Sequence, residues 1–237
     1  MRRLAVLLAV CVLPSPALAS ANSSRGASSR CPPARSRVLR TDRQVVLYKG
    51  TATGIESEEK VGGGYEHYVF HYTVIRGCSR ASGRSFTVGL PASGEGSAGG
   101  ESGSGIRHET LGGEMVAYEE FVEGCGLNHC NGRFEVVVLD LRTGRTLHQV
   151  PTGTRATPIA NFVGVGSTTA IVVKADGAVA WITEAPIQEG DYQVHALDET
   201  GSHVLASGPD INPHSLALHG SELSWAQDGK RMSTLLG

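Results

Sequence analysis

Apolar and polar positions alternate in short runs, and the same arrangement returns four times. Four segments share an aromatic anchor: Val45-Val46-Leu47-Tyr48, Met115-Val116-Ala117-Tyr118, Ala178-Val179-Ala180-Trp181 and Glu222-Leu223-Ser224-Trp225. A turn signal precedes each: Thr41-Asp42-Arg43, Gly112-Gly113, Ala175-Asp176-Gly177 and His219-Gly220. Another short apolar run precedes each turn: Val38-Leu39, His108 to Leu111, Ile171-Val172-Val173 and Leu216-Ala217-Leu218. Asp-Gly and Gly-Gly tolerate positive φ, so each copy begins as strand, tight turn, strand. A third run follows in three copies: Val74-Ile75, Phe134 to Leu139 and Tyr192 to Leu197. These end in Ser79-Arg80-Ala81-Ser82-Gly83-Arg84, Asp140-Leu141-Arg142-Thr143-Gly144 and Asp198-Glu199-Thr200-Gly201. An Asp side chain can cap such a turn, with Gly taking its left-handed position. Fourth strands are expected at Ser85 to Val88, Thr146 to Gln149 and Ser202 to Leu205.

The pattern predicts an all-β protein built from repeats of four-stranded antiparallel sheets. Repetition favours a small, about four-bladed and incomplete β-propeller over a β-sandwich. The copies span residues 36–90, 106–150, 169–207 and 214–236. The fourth shows three strands, so the preferred arrangement closes the ring with a strand from the N-terminal arm; an open stack is the alternative. Residues 91–105, almost only Gly, Ser, Ala and Glu, read as a flexible loop, and Glu56 to Glu66 as a second, charged one. The glycines of the first loop lack the strand-to-helix setting and the following Lys-Ser/Thr of a phosphate cradle.

Lys174-Ala175-Asp176-Gly177-Ala178-Val179-Ala180-Trp181, followed by Val194 to Gly201, resembles a TolB-like β-propeller repeat. In that family an Asp-Gly hairpin with an aromatic residue precedes a strand that ends in an Asp-x-x-x-Gly turn. The Leu139-Asp140-Leu141-Arg142-Thr143-Gly144 turn, and Leu197-Asp198-Glu199-Thr200-Gly201 with one residue fewer, also resemble quinoprotein-type, WD40-like propeller repeats. The tryptophan that quinoprotein repeats carry after that Gly is replaced by Thr146-Leu147-His148 and Ser202-His203-Val204, so no quinone is carried over. The resemblance spans roughly residues 36–235 and implies architecture alone, because propellers host many functions.

The N-terminus changes the picture from fold to address. Arg2 and Arg3, an apolar stretch from Leu4 to Leu13, helix-breaking Pro14 and Pro16, and Ala17-Leu18-Ala19 before Ser20 read as a secretory signal peptide over residues 1–19. Leu8-Ala9-Val10-Cys11 is a rival lipoprotein box that would anchor the chain at Cys11. No later segment is apolar and long enough to span a bilayer. The protein is therefore expected outside the cell or in the cell envelope, as a monomer.

Without residues 1–19 the chain holds 19 basic and 23 acidic residues, a net charge of −4. A Ser/Arg/Pro-rich arm, residues 20–35, precedes the propeller-like domain, residues 36–237. Between residues 20 and 43 stand six arginines and one aspartate, whereas the remainder carries −9. The arm reads as a solvated linker or as a dock for an anionic envelope polymer. A net acidic exported chain does not fit nucleic-acid binding.

Beyond Cys11, four cysteines remain, Cys31, Cys78, Cys125 and Cys130, an even number that reads as disulfides. A local Cys125–Cys130 bridge across Gly126 to His129 would leave Cys31 for Cys78. A metal site from Cys125, His129 and Cys130 lacks a second ligand pair.

Catalytic signals are sparse. His67 and His71 fall about 13 Å apart on one strand face with Val69, too far to share a metal. His108, Glu109, His214 and Asp42 fall near innermost strands, where a propeller lines its channel and could do acid–base work. Ser167 lacks the second glycine of a nucleophile elbow. Tyr48, Tyr118, Trp181 and Trp225 occupy one repeat position and are expected in the core. These observations favour a non-catalytic binding or interaction module, without cofactor or metal, whose partner is a protein or an envelope polymer. The alternative is a propeller hydrolase with a carboxylate or metal site in the channel.

Overall fold

The structure, a computed structural model, describes residues 31–60, 63–97, 100–125, 129–158, 166–185 and 190–237. Residues 1–19, expected to be a signal peptide, and the arm to residue 30 lie outside them. The described residues form sixteen strands and no helix.

The first sheet, in order, is β1 (Arg37–Thr41), β2 (Val45–Glu59), β3 (Tyr65–Ser79) and β4 (Ser85–Gly89). The second has five strands: β5 (Ser93–Ser97), β6 (Gly100–Gly112), β7 (Met115–Cys125), β8 (His129–Asp140) and β9 (Arg145–Pro158). The third holds β10 (Thr168–Val173), β11 (Val179–Glu184), β12 (Tyr192–Asp198) and β13 (Gly201–Gly208). The fourth holds β14 (Ala217–His219), β15 (Glu222–Gln227) and β16 (Lys230–Leu235). Every neighbouring pair within these sheets is antiparallel. The fold is all-β and propeller-like, in repeated antiparallel sheets.

Turn chemistry accounts for the repeat. The Asp42 carboxylate accepts the amides of Gln44 and Val45, both at 2.7 Å, and folds β1 onto β2. Asp140 accepts the Arg142 amide and the Thr143 hydroxyl, and Gly144 follows at φ 77°. Asp198 accepts the Thr200 amide before Gly201 at φ 112°. Each carboxylate supplies the acceptor that a tight turn leaves unmet, and glycine takes the backbone angle that a Cβ disfavours.

Alternate residues of each sheet then pack on the next. Val45, Leu47 and Ile75 meet Val116, Tyr118, Val137 and Leu139 between sheets one and two. Ala117, Val136 and Val138 meet Val173, Val179 and Trp181 between sheets two and three. Ala180, Ile182 and Val194 meet Leu223, Ile211 and Trp225 between sheets three and four. The aromatic anchors Tyr48, Tyr118, Trp181 and Trp225 are all buried. Lys174 clasps the C-terminus by donating to the Leu236 and Gly237 carbonyls.

Three apolar interfaces join four sheets, and among the described residues no apolar cluster joins the fourth sheet to the first. The sheets do not close. The expected closing strand from the arm is absent from residues 31–36: β1 pairs with β2, and Cys31 stands at disulfide distance from Cys78 of β3, Cα to Cα 5.9 Å. Cys31 thus ties the arm to the first sheet, as expected, and the rest of the arm, residues 20–30, lies outside the described residues.

Both expected loops differ from the backbone found. Residues 93–97 and 100–104 pair as β5 and β6. Glu56 to Glu59 and Tyr65 to Tyr68 continue β2 and β3. In each case a long neighbouring strand supplies a hydrogen-bonding edge, which outweighs the poor β propensity of Gly, Ser and Glu.

Candidate functional site

The first sheet extends beyond its four-stranded part as a two-stranded arm. β2 and β3 pair continuously from Val45↔Ser79 to Glu59↔Tyr65. β1 reaches only Lys49, and β4 only Ile75. Residues 50–58 and 65–73 therefore have one paired edge each. Side chains alternate, giving the arm two distinct faces.

One face carries Tyr68, Phe70 and Tyr72 opposite Glu56, Gly54 and Ala52. The Phe70 ring occupies the space where a Cβ on Gly54 would stand, so glycine is what lets the ring lie over β2. Phe70 and Tyr72 sit 5.6 Å apart between ring centres. The three rings remain 46%, 44% and 38% exposed. The Tyr68 hydroxyl bonds Glu66, which raises its pKa above the ordinary tyrosine value.

The opposite face carries the two histidines with Val69. His67 Nδ1 is 2.7 Å from the Ser57 hydroxyl, and His71 Nδ1 is 3.2 Å from the Thr53 hydroxyl. Each imidazole is matched to its cross-strand neighbour, and neither shares a ligand with the other. Beside the arm runs an open groove of about 960 Å³, lined by Ile55, Thr73, Leu90, Pro91, Ala92 and Glu120 among others.

The channel candidates come together only in part. His214, Arg107 and Arg40 stand close enough to His108 to act on it electrostatically. Partial burial first, then these positive neighbours, hold His108 below the usual histidine range. His108 also adopts a left-handed φ of 56° at the irregularity where β6 and β7 shift register. Asp42 caps its own turn. Ser167 accepts from Arg107 at 2.7 Å, with no histidine among its hydrogen-bond partners. Among the described residues, no three His, Cys, Asp or Glu side chains gather as a metal site would require. The register sets Cys125 opposite Cys130, while their side chains lie outside the described residues.

A buried ion pair escaped the sequence reading. Glu119, fully buried, accepts from Arg107 and from the Thr168 amide, linking sheets two and three. The Arg107 guanidinium lies 4.5 Å from the Phe121 ring centre and 5.6 Å from that of Phe134. Burial pushes the Glu119 carboxyl up, against the pull of Arg107 and Thr168. The Gly112-Gly113 turn signal could not have found it: that hairpin register, carried on past Thr110, would face Arg107 with Glu120, and the register shift between Arg107 and Thr110 is what sets Arg107 opposite Glu119. Another polar cluster joins Glu135 to Arg133 and Gln149.

Compared with known proteins, the chain matches no family model, no curated protein and no solved structure.

Proposed function

We propose that the protein is an exported, non-catalytic binding module whose recognition surface is the ring-bearing face of the β2–β3 arm, and whose ligand is an extended envelope glycan. The observation that carries this reading is the row of exposed rings at alternate positions of one strand. Alternate strand residues lie about 6.8 Å apart, which sets the rings in a row along one direction. A polymer of pyranose units presents repeated C–H faces that stack on such rings. Aromatic side chains offer large contact area at low entropic cost, since only two torsions must be fixed. Glu66, beside Tyr68, supplies a polar rim for sugar hydroxyls.

Export rests on the signal-peptide pattern of residues 1–19 and on the Cys31–Cys78 pair, which fits an oxidising compartment. The basic arm adds a second contact for an anionic polymer. The Asp176-Gly177 hairpin and its Asp198 turn support kinship with TolB-like propellers. The charged groups that act on His108 are Arg107, His214 and Arg40, a basic set that favours binding over the carboxylate chemistry of a hydrolase.

Co-sedimentation with insoluble peptidoglycan and chitin tests this reading. The wild type should pellet with at least one of them, and the variant with Tyr68→Ala, Phe70→Ala and Tyr72→Ala should stay in solution. Equal pelleting of both proteins would refute it.

A further inference from the structure

The two free edges of the arm differ in chemistry. The β2 edge from Gly50 to Glu58 contains Gly50 and Gly54 and exposes Glu56 and Glu58. Glycine weakens a strand, and the acidic end of β2 opposes pairing with another acidic edge. The β3 edge reads Tyr65-Glu66-His67-Tyr68-Val69-Phe70-His71-Tyr72-Thr73. It holds no proline, lysine or glycine, and pairs with β2 without a bulge. Proline, lysine and bulges blunt natural edges, and this edge, whose single carboxylate is Glu66, lacks them and is a template for another strand. Among the described residues, no strand pairs with it.

The order of residues identifies that strand. About Val69 the edge is nearly palindromic: Tyr68 and Phe70 flank it, then His67 and His71. We infer that the protein forms a two-fold dimer in which β3 pairs antiparallel with β3 of a second copy, centred on Val69. An interface with two-fold symmetry must be self-complementary, and a palindromic strand edge meets that condition. In this register Val69 meets Val69, Tyr68 meets Phe70, His67 meets His71, and Glu66 meets Tyr72 of the other copy.

Opposed residues share a sheet face. The three rings of each copy therefore join into one six-ring face. Glu66 gains a tyrosine hydroxyl across the seam, the same chemistry that it already offers Tyr68. The register also sets Tyr65, 66% exposed, opposite Thr73 of the other copy. Thr73 walls the groove beside Leu90, Pro91 and Ala92. The pairing uses the strand edge and leaves the ring face open, so the dimer stands independently of the glycan reading.

Sedimentation equilibrium on the chain from residue 20 onward, at 5–100 µM, tests the dimer. The wild type should sediment at twice the chain mass. Val69→Lys, at a 65% exposed position, should sediment at one chain mass, its dissociation constant raised at least tenfold. Val204→Lys, at a 58% exposed position in the third sheet, should remain dimeric. Circular dichroism should be the same for all three. Directly opposed Cα atoms in an antiparallel pair lie about 4.5–5.5 Å apart, within disulfide reach. Mild oxidation should therefore convert Val69→Cys into a covalent dimer. A wild type at one chain mass at 100 µM, a dimeric Val69→Lys, or an uncross-linked Val69→Cys would each overturn the inference.

Discussion

Replacing Arg107 with Met removes the charge beside Glu119 and keeps most of the apolar stem that packs near Phe121 and Phe134. Glu119 is then left as a fully buried carboxylate with only the Thr168 amide from the present pairing. Breaking a buried ion pair at one partner costs about 3–5 kcal/mol, because the remaining charge stays desolvated. The Arg107 side chain is 30% exposed, which places the loss near the low end, about 3 kcal/mol. With a urea slope of about 2 kcal/mol per molar, the midpoint should fall by about 1.5 M. Emission from the buried Trp181 and Trp225 reports unfolding. The sign with pH is fixed by the carboxyl. Its folded pKa is already raised by burial, and losing Arg107 raises it further. A folded state that binds a proton more tightly than the unfolded chain gains stability as pH falls. The loss in Arg107→Met should therefore shrink between pH 7.5 and pH 5. Adding Glu119→Gln removes the stranded charge and keeps an acceptor for Thr168, so the double variant should lie within about 1 kcal/mol of wild type. A single-variant loss below about 1 kcal/mol, or one equal at both pH values, would refute the reasoning.

Other expectations follow from the same structure. Cys31→Ser should lower stability by about 4 kcal/mol in the chain-entropy model for a separation of 47 residues, measured by urea unfolding without reductant. His195 stacks on Trp181 with ring centres 5.2 Å apart, and burial lowers its pKa. Its neutral form is therefore favoured on folding, and stability should fall as pH drops below about 6.5, the unfolded value. His195→Gln should flatten that part of the stability profile. A methyl group added at Gly77 would stand 2.5 Å from Leu141 Cδ2, so Gly77→Ala should cost about 1–3 kcal/mol by overpacking, read from the thermal midpoint. Gly54→Ala should displace the Phe70 ring and weaken glycan co-sedimentation while leaving the unfolding midpoint nearly unchanged, because the site is a solvent-exposed arm.

Strand, turn and anchor were legible because each depends on local chemistry. Asp42, Asp140 and Asp198 sit where a turn needs a side-chain acceptor, and Tyr118, Trp181 and Trp225 sit where the preceding sheet covers them. The length of the arm was hidden because Gly50, Gly54, Glu56 and Glu58 carry no strand signal of their own. They extend because β3 lies beside them. Residues 100–104 are ordered into β6 in the same way, by β5 and β7. The rings of Tyr68, Phe70 and Tyr72 were visible as residues, but their shared exposed face depends on which strands stop short, β1 at Arg37 opposite Lys49 and β4 at Gly89 opposite Ile75. The Arg107–Glu119 pair was hidden because it depends on the register shift between Arg107 and Thr110, where His108 takes a left-handed φ, and the glycine turn alone would have faced Arg107 with Glu120.

The most direct test of the ring face is a backbone and aromatic NMR titration of the protein with a soluble chitin oligosaccharide. The account predicts shift changes centred on Tyr68, Phe70, Tyr72 and their cross-strand partners Glu56, Gly54 and Ala52. Changes centred on His108 and His214, or no change at millimolar sugar, would contradict it.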